Sequence, residues 1–121
     1  MRFIIFTLLL QNLLIASPMR TCTIKYKKGD VSKVLVPLGA ASTLKFPEDV
    51  SFAHIGNSND YSVAKADGFK DVLIVSPTRS NARETSLTVM MGKKGSSFVS
   101  LWLKSVSSNK GCTVVEVKRG L

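Results

Sequence analysis

Two runs of alternating residues decide the fold, 84–91 (ETSLTVMM) and 97–106 (SFVSLWLKSV), joined by a turn at 92–96 (GKKGS). In each run an apolar residue returns at every second position. This period places one set of side chains in the core and their neighbours outside. Leu87, Val89 and Met91 are predicted to face one way, and Thr88 and Met90 the other. Likewise Val99, Leu101 and Leu103 are predicted to lie opposite Phe98, Ser100 and Trp102. The pattern indicates two half-buried β-strands.

Turn residues interrupt the rest of the chain about every 8 to 12 positions, which is typical of an all-β sandwich or barrel. The segments between them are rich in Val, Ile, Thr and aromatic residues. We expect strands at 21–27, 31–37, 42–46, 50–55, 60–65, 71–76, 84–91, 97–106 and 111–118. The prediction is a single antiparallel β-sandwich whose first strand (21–27) and last strand (113–118) are sheet edges.

The N-terminal segment, 1–17, has the layout of a secretory signal peptide. Arg2 precedes an apolar run that ends in the small residues Ala16 and Ser17. The run of about 13 residues is shorter than the roughly 20 that a transmembrane helix needs. We therefore expect a cleaved signal peptide, a β-sandwich domain over 18–121, and a periplasmic or outer-membrane-associated protein. An uncleaved N-terminal anchor is the alternative.

The chain contains two cysteines, Cys22 and Cys112. In an oxidising compartment an even pair predicts a disulfide, which here would tie the first strand to the last. Closing a loop of about 90 residues stabilises a fold by about 4 to 5 kcal/mol in chain-entropy models. Two buried free thiols, or a disulfide to a partner chain, are the alternatives.

The composition argues against an enzyme and against a cofactor. A chain of 121 residues provides one domain, and one His with two Cys excludes most metal sites, since structural zinc needs four such ligands. His54 is predicted to be a structural or surface histidine, because no motif places a nucleophile and a carboxylate beside it. Glu48 and Asp49 are predicted to form an acidic turn, and 92–96 lacks the spacing of a phosphate-binding loop. We expect no small-molecule substrate.

The formal net charge of +9 is the remaining chemical signal. The candidate basic interaction surface comprises Lys25, Lys27, Lys28, Lys33, Lys93, Lys94, Lys118 and Arg119. Such a surface suits acidic protein partners or the anionic cell envelope, and a merely solvated surface is the alternative. Single-strand nucleic-acid binders place aromatic residues among their cations. Apart from Tyr26, which lies between Lys25 and Lys27, no aromatic residue is interleaved with these cations in the sequence. This scarcity of aromatic residues argues against nucleic acid as a partner.

The middle of the chain contains a more specific order of elements. Phe46-Pro47 separates two strands, Val75-Ser76-Pro77 ends another, a Thr-containing strand covers 85–89, and an aromatic strand covers 98–103. This order, over 31–106, resembles the N-terminal β-sandwich of the TrbG/CagX-like and TraK-like subunits of type IV secretion (conjugal transfer) systems. The N-terminal domains of pilus secretins are similar. In the family a linker and a second β domain follow, whereas this sequence ends at Leu121, so the resemblance implies the sandwich alone.

The resemblance implies a non-catalytic structural subunit or accessory component of a bacterial envelope secretion or conjugation complex. We expect such a subunit to assemble through its sheet edges and a basic surface. Val115→Pro in the last strand should then block assembly of a ring, whereas Lys93→Ala should not. Its partners would be other envelope-complex proteins and further copies of the chain in a ring. Some family members form a disulfide with a small lipoprotein, a role open to Cys22 or Cys112 only if they do not pair with each other. The alternative is a free periplasmic or secreted binding protein, such as an inhibitor or adhesion-like module. A third hypothesis, a secreted effector or small hydrolase, requires His54 in a cleft.

Overall fold

The computed structural model describes residues 20–27, 29–93 and 97–120. The predicted signal peptide, 1–17, lies outside these residues, which form nine β-strands and no helix long and apolar enough to cross a membrane. The strands are β1 (Thr21–Tyr26), β2 (Val31–Pro37), β3 (Ser42–Lys45), β4 (Val50–Ile55), β5 (Tyr61–Lys65), β6 (Val72–Pro77), β7 (Thr85–Met91), β8 (Ser97–Val106) and β9 (Val114–Arg119).

Each predicted segment overlaps one of these strands. The largest difference is at β9, which begins at Val114 rather than at 111. The residues before it bond to other partners: Cys112 N–H donates to Leu35 O in β2, and Thr113 N–H donates to Arg20 O. The chain is therefore still crossing between the sheets at the point where the sequence predicts a strand.

The strands form two stacked sheets, which confirms the predicted sandwich. One sheet has the order β1-β9-β3-β6-β5 and the other the order β2-β8-β7-β4. Both sheets are mixed, because β1 and β3 run parallel to β9, and β2 runs parallel to β8. The expectation of wholly antiparallel pairing is thus corrected. Alternation shows which side chains face inward but carries no information on the direction of the neighbouring strand.

The last strand is not an edge, contrary to the sequence prediction. β9 lies between β1 and β3, and β1 is the edge strand, as predicted. Val115 and Val117 are fully or almost fully buried, so β9 is an inner strand that pairs on both sides. The other sheet edges in the described residues are β5, β2 and β4.

One of the two predicted sets of alternating residues forms the centre of the core. Leu87, Val89, Met91, Leu101 and Leu103 are 0% exposed and Val99 is 2% exposed. Leu44, Val75 and Val115 meet them from the other sheet in the same cluster. Burial of a Val, Leu or Met side chain contributes about 1.5 to 3 kcal/mol each. Gly111 sets a further steric constraint, since a Cβ there would lie 2.5 Å from Pro37 N.

Cys22 and Cys112 form the predicted disulfide, with their Cα atoms 5.9 Å apart. Cys22 is in β1, and Cys112 lies two residues before β9. The bond joins the edge strand to the crossing segment, and the Arg20 backbone holds Thr113 beside it through N–H and C=O bonds. One side of the sandwich is thereby closed covalently. Neither cysteine is free for a partner chain.

A buried carboxylate fixes the turn between β4 and β5. The Asp60 side chain is 3% exposed and lies 3.2 Å from Arg79 Nε. It accepts hydrogen bonds of 3.0 Å from Asn57 Nδ2 and from Arg83 N–H. This cluster joins the 56–60 turn to the loop that precedes β7, and so holds the two sheets together at one end.

Reduction of the disulfide is expected to weaken the fold without abolishing it. The disulfide joins residues 90 positions apart, and without it the unfolded chain regains conformational entropy. We therefore expect the free energy of unfolding to fall by about 4 kcal/mol. Urea unfolding of the Cys22→Ser/Cys112→Ser protein measures this loss. Reductant is the control, since it should lower the stability of the parent and leave the variant unchanged. An equal stability of parent and variant would contradict the assignment.

Asp60→Asn is expected to lower the free energy of unfolding by about 2 kcal/mol, because an amide replaces the charged acceptor that faces three donors. Asp67→Asn is the matched control, since Asp67 is exposed in a turn, and its effect should stay within about 0.5 kcal/mol. Thermal or urea unfolding compares the two. Equal effects would show that Asp60 does not hold the turn.

Candidate functional site: an exposed aromatic face

The predicted basic residues are divided between surfaces. Lys25 and Lys118 are register partners on the outer face of the five-stranded sheet, and Lys45 is in register with Glu116 beside them. Lys33 lies on the outer face of the opposite sheet, in register with Trp102. Lys28 and Lys94 lie outside the described residues. The fold therefore does not bring the predicted set together on one face.

The remaining predicted cations lie at one end of the sandwich, where β1, β7 and β9 all terminate. Lys27 and Lys93 are exposed there. Arg119 is held by intramolecular contacts, 3.3 Å from Glu48 Oε2 and 3.4 Å from Ser97 Oγ. The pKa of Arg119 lies above its usual value. The main cause is the adjacent Tyr26 side chain, and the Glu48 carboxylate is the second cause. The Tyr26 hydroxyl is buried and has no hydrogen-bond partner among the described residues. Arg119 is thus a cation engaged within the chain.

The outer face of the four-stranded sheet carries a different feature. Phe52, Met90 and Phe98 are in register across β4, β7 and β8 and form one apolar row. Their exposed fractions are 52%, 39% and 51%. Trp102, 37% exposed, and Val31, 62% exposed, lie on the same face. We call these five residues the aromatic face.

Local backbone geometry determines why Phe52 belongs to this face. The register of β4 against β7 shifts between Val50 and Phe52, which marks a β-bulge. A bulge adds one residue to a strand and re-aims the side chains that follow it. Val50 is consequently buried, whereas Phe52 and His54 both face outward, in register with Met90 and Thr88. Without the bulge, Phe52 would point into the core beside Val50.

The margin of the aromatic face is cationic. Lys33 is in register with Trp102, and Lys104 follows two residues later on the same side of β8. No outward position in the described residues of the four strands carries a carboxylate. The nearest one is Glu84, just before β7, which accepts a 3.1 Å hydrogen bond from Trp102 Nε1. That bond fixes the indole orientation at the margin.

The exposed parts of these five side chains amount to roughly 500 Å² of mostly apolar surface, the size of the largest apolar patch on a typical monomer, which is often functional. Among the described residues two other large apolar side chains are exposed, Phe69 in the β5–β6 turn and Ile74 on the opposite sheet. Neither has large exposed apolar register partners in that part of the chain. The concentration of apolar surface on one face makes the aromatic face the candidate functional site.

His54 lies on this face, exposed, beside Thr88 and Ser100. No hydrogen bond joins it to a hydroxyl or carboxylate among the described residues. Within those residues no three His, Cys, Asp or Glu side chains are grouped to hold a metal. The acidic turn predicted at Glu48 and Asp49 is present between β3 and β4. The arrangement is suited to binding through surface contact.

Sequence analysis correctly separated Met90, Phe98 and Trp102 from the alternating set that is buried, but it did not identify them as a site. The available signal was three large apolar residues at outward positions of amphipathic strands. The lysines and the aromatic residues are also distant in sequence, and only the parallel pairing of β2 with β8 brings Lys33 next to Trp102. The sequence-based argument that cations and aromatics are separate does not hold on this face.

No known protein family model matches the chain, and a search of curated proteins finds no relative similar in sequence.

Phe98→Thr is expected to change the free energy of unfolding by less than about 1 kcal/mol, the size of one cross-strand pair. Phe98 is half exposed and contributes little to the core. Leu101→Ala, three residues away and 0% exposed, is the control and should cost about 2 to 5 kcal/mol. Urea unfolding measures both. If Phe98→Thr costs as much as Leu101→Ala, the aromatic face serves folding rather than docking.

Proposed function

We propose that the chain is a non-catalytic subunit of a bacterial envelope secretion or conjugation complex, and that it docks onto its neighbours through the aromatic face. The single observation that supports this proposal is the row formed by Phe52, Met90 and Phe98 across three strands, half exposed to solvent. The largest apolar patch on a protein surface is often functional. A partner that covers the row removes its apolar surface from water, which favours association.

The export part of the proposal rests on sequence. The segment 1–17 has the pattern of a signal peptide, and the Cys22–Cys112 disulfide is of the kind that persists in oxidising compartments. The resemblance of 31–106 to type IV secretion sandwich domains supplies the kind of complex. These three features are independent of one another and favour the same compartment.

Docking through the aromatic face replaces two parts of the assembly hypothesis drawn from sequence. β9 is an inner strand, so Val115→Pro would disrupt the fold itself and would not test assembly. The cations also lie on different faces, which assigns Lys33 and Lys104 to the proposed interface and leaves Lys25 and Lys118 on the opposite sheet.

Site-specific photo-crosslinking in cells of the source organism tests the proposal. The crosslinking residue p-benzoylphenylalanine replaces Phe98 in one strain and Ile74 in another. Ile74 is a matched control because it is exposed to 37%, close to the exposure of the aromatic face, but lies on the outer face of the other sheet. We expect a crosslinked product from position 98 that contains a secretion or conjugation subunit identified by mass spectrometry.

Three outcomes contradict the proposal. Equal crosslinking from positions 98 and 74 would remove the aromatic face as the interface. No product from position 98, with the protein monomeric in its envelope fraction, would remove assembly as the function. A product with a protein outside any envelope complex would favour the free binding protein.

A further inference from the structure

The two sides of the sandwich differ. On one side the edge strands β1 and β2 contact each other, and the disulfide and the 111–113 segment close the seam. On the other side β4 and β5 are separated by an open groove with a volume of about 440 Å³. This volume falls within the range of ligand-binding clefts, about 300 to 1,000 Å³.

The groove has a mixed polar and apolar lining, and its apolar part reaches the core. Ala53 and Ile55 of β4 and Val63 of β5 line it, and the buried Leu73 and Tyr61 are also part of its wall. Ala53 and Ile55 face inward because of the bulge that turns Phe52 outward. The groove therefore leaves space between the sheets, beside these half-buried side chains, for apolar side chains of a binding partner.

Both walls of the groove are sheet edges. β4 pairs with β7 only, and β5 pairs with β6 only. At the start of β4 the Val50 N–H donates to Lys70 O, and just past its end the Gly56 N–H donates to Ser86 O. Between these bonds, residues 51–55 have backbone N–H and C=O groups on the groove side that form no hydrogen bond within the described residues. A free edge of this kind is a template for an added strand.

Charge indicates the composition of such a strand. Ten residues line the groove, and they include Lys65 but no carboxylate. The chain as a whole carries a formal charge of +9, so long-range attraction favours an acidic partner and disfavours a second copy of this chain. Phe52 belongs to both the groove and the aromatic face, which makes the two surfaces continuous.

We propose that the groove between β4 and β5 binds an extended acidic segment of a partner protein. That segment adds as a strand to the free edge of β4 and inserts alternate apolar side chains between the sheets. The inference rests on the proposed function, because it names the type of segment that the docked partner supplies. Six residues of extended chain span about 20 Å, so a segment of this length matches β4.

A designed peptide of four Glu-Val repeats, acetylated and amidated, is the probe. Backbone amide shifts of the isotope-labelled protein, measured by NMR during titration, report where the peptide binds. We expect changes concentrated in 51–55 and 61–65. Replacing Glu by Lys in the peptide should weaken binding by about tenfold or more, as expected for loss of electrostatic complementarity. Methylation of alternate backbone nitrogens should abolish binding, because it removes the donors of one peptide edge.

Variants of β5 provide the matched comparison. Val63→Lys places a long side chain in the groove, whereas Ser62→Lys adds the same charge on the outer face of the same strand. The first should weaken binding by about tenfold and the second by less than about twofold. The Lys65→Glu variant should fold like the parent, because Lys65 is exposed. It should reverse the preference between the Glu-Val and Lys-Val peptides.

Several results would overturn the inference. These are equal binding of the N-methylated peptide, shift changes confined to β1 and β2, or equal effects of Val63→Lys and Ser62→Lys. Failure of the peptide alongside a subunit crosslink from position 98 would overturn the groove assignment alone. Peptide binding without that crosslink would contradict the proposed assembly role and leave the groove as a binding site.

Discussion

The parallel pairing of β1 with β9, locked by the Cys22–Cys112 disulfide, is the constraint on which the rest of the structure depends. It places the first described strand beside the last and makes β9 an inner strand. Because the closure lies between β1 and the segment before β9, it seals only one side of the sandwich. The opposite side, between β4 and β5, retains unpaired edges and the open groove. The positions of the two cysteines therefore determine which side of the sandwich the disulfide closes.

The four-stranded sheet carries large apolar side chains on both faces, and this is unusual for a sheet with one face in solvent. Its inner face fills the core with Leu87, Leu101 and their neighbours, while its outer face exposes Phe98 and Trp102. The bulge after Val50 contributes to both surfaces, since it turns Phe52 outward to complete the aromatic row and turns Ala53 inward to line the groove. A single extra residue thus connects the two proposed contact surfaces. The Asp60 cluster, at the turn that follows β4, holds the two walls of the groove in place.

Much of the fold could be predicted from the sequence, because alternation with period two is a local signal. One alternating set, Leu87, Val89, Met91, Val99, Leu101 and Leu103, is buried, as a period of two predicts for one face of a strand. Strand direction and order could not be predicted, since parallel pairs such as β2 with β8 join residues about 70 positions apart and leave no local trace. The disulfide could be predicted because the sequence contains a single pair of cysteines. The aromatic face was only partly predictable. The alternation places Phe98 and Trp102 on the same face of β8, but the bulge that adds Phe52 and the register that adds Lys33 depend on the folded sheets.

Hydroxyl-radical footprinting tests the central claim most directly, because Met90, Phe98 and Trp102 carry reactive side chains and are exposed in the isolated chain. Oxidation of the purified protein is compared with oxidation in intact envelopes, with Phe69, 63% exposed in a turn, as the internal reference. We expect the residues of the aromatic face to be protected in the envelope by about fivefold or more, as for side chains desolvated at the centre of an interface, while Phe69 reacts equally in both samples. Equal oxidation of Met90 and Trp102 in the two samples would contradict the claim that a partner covers this face.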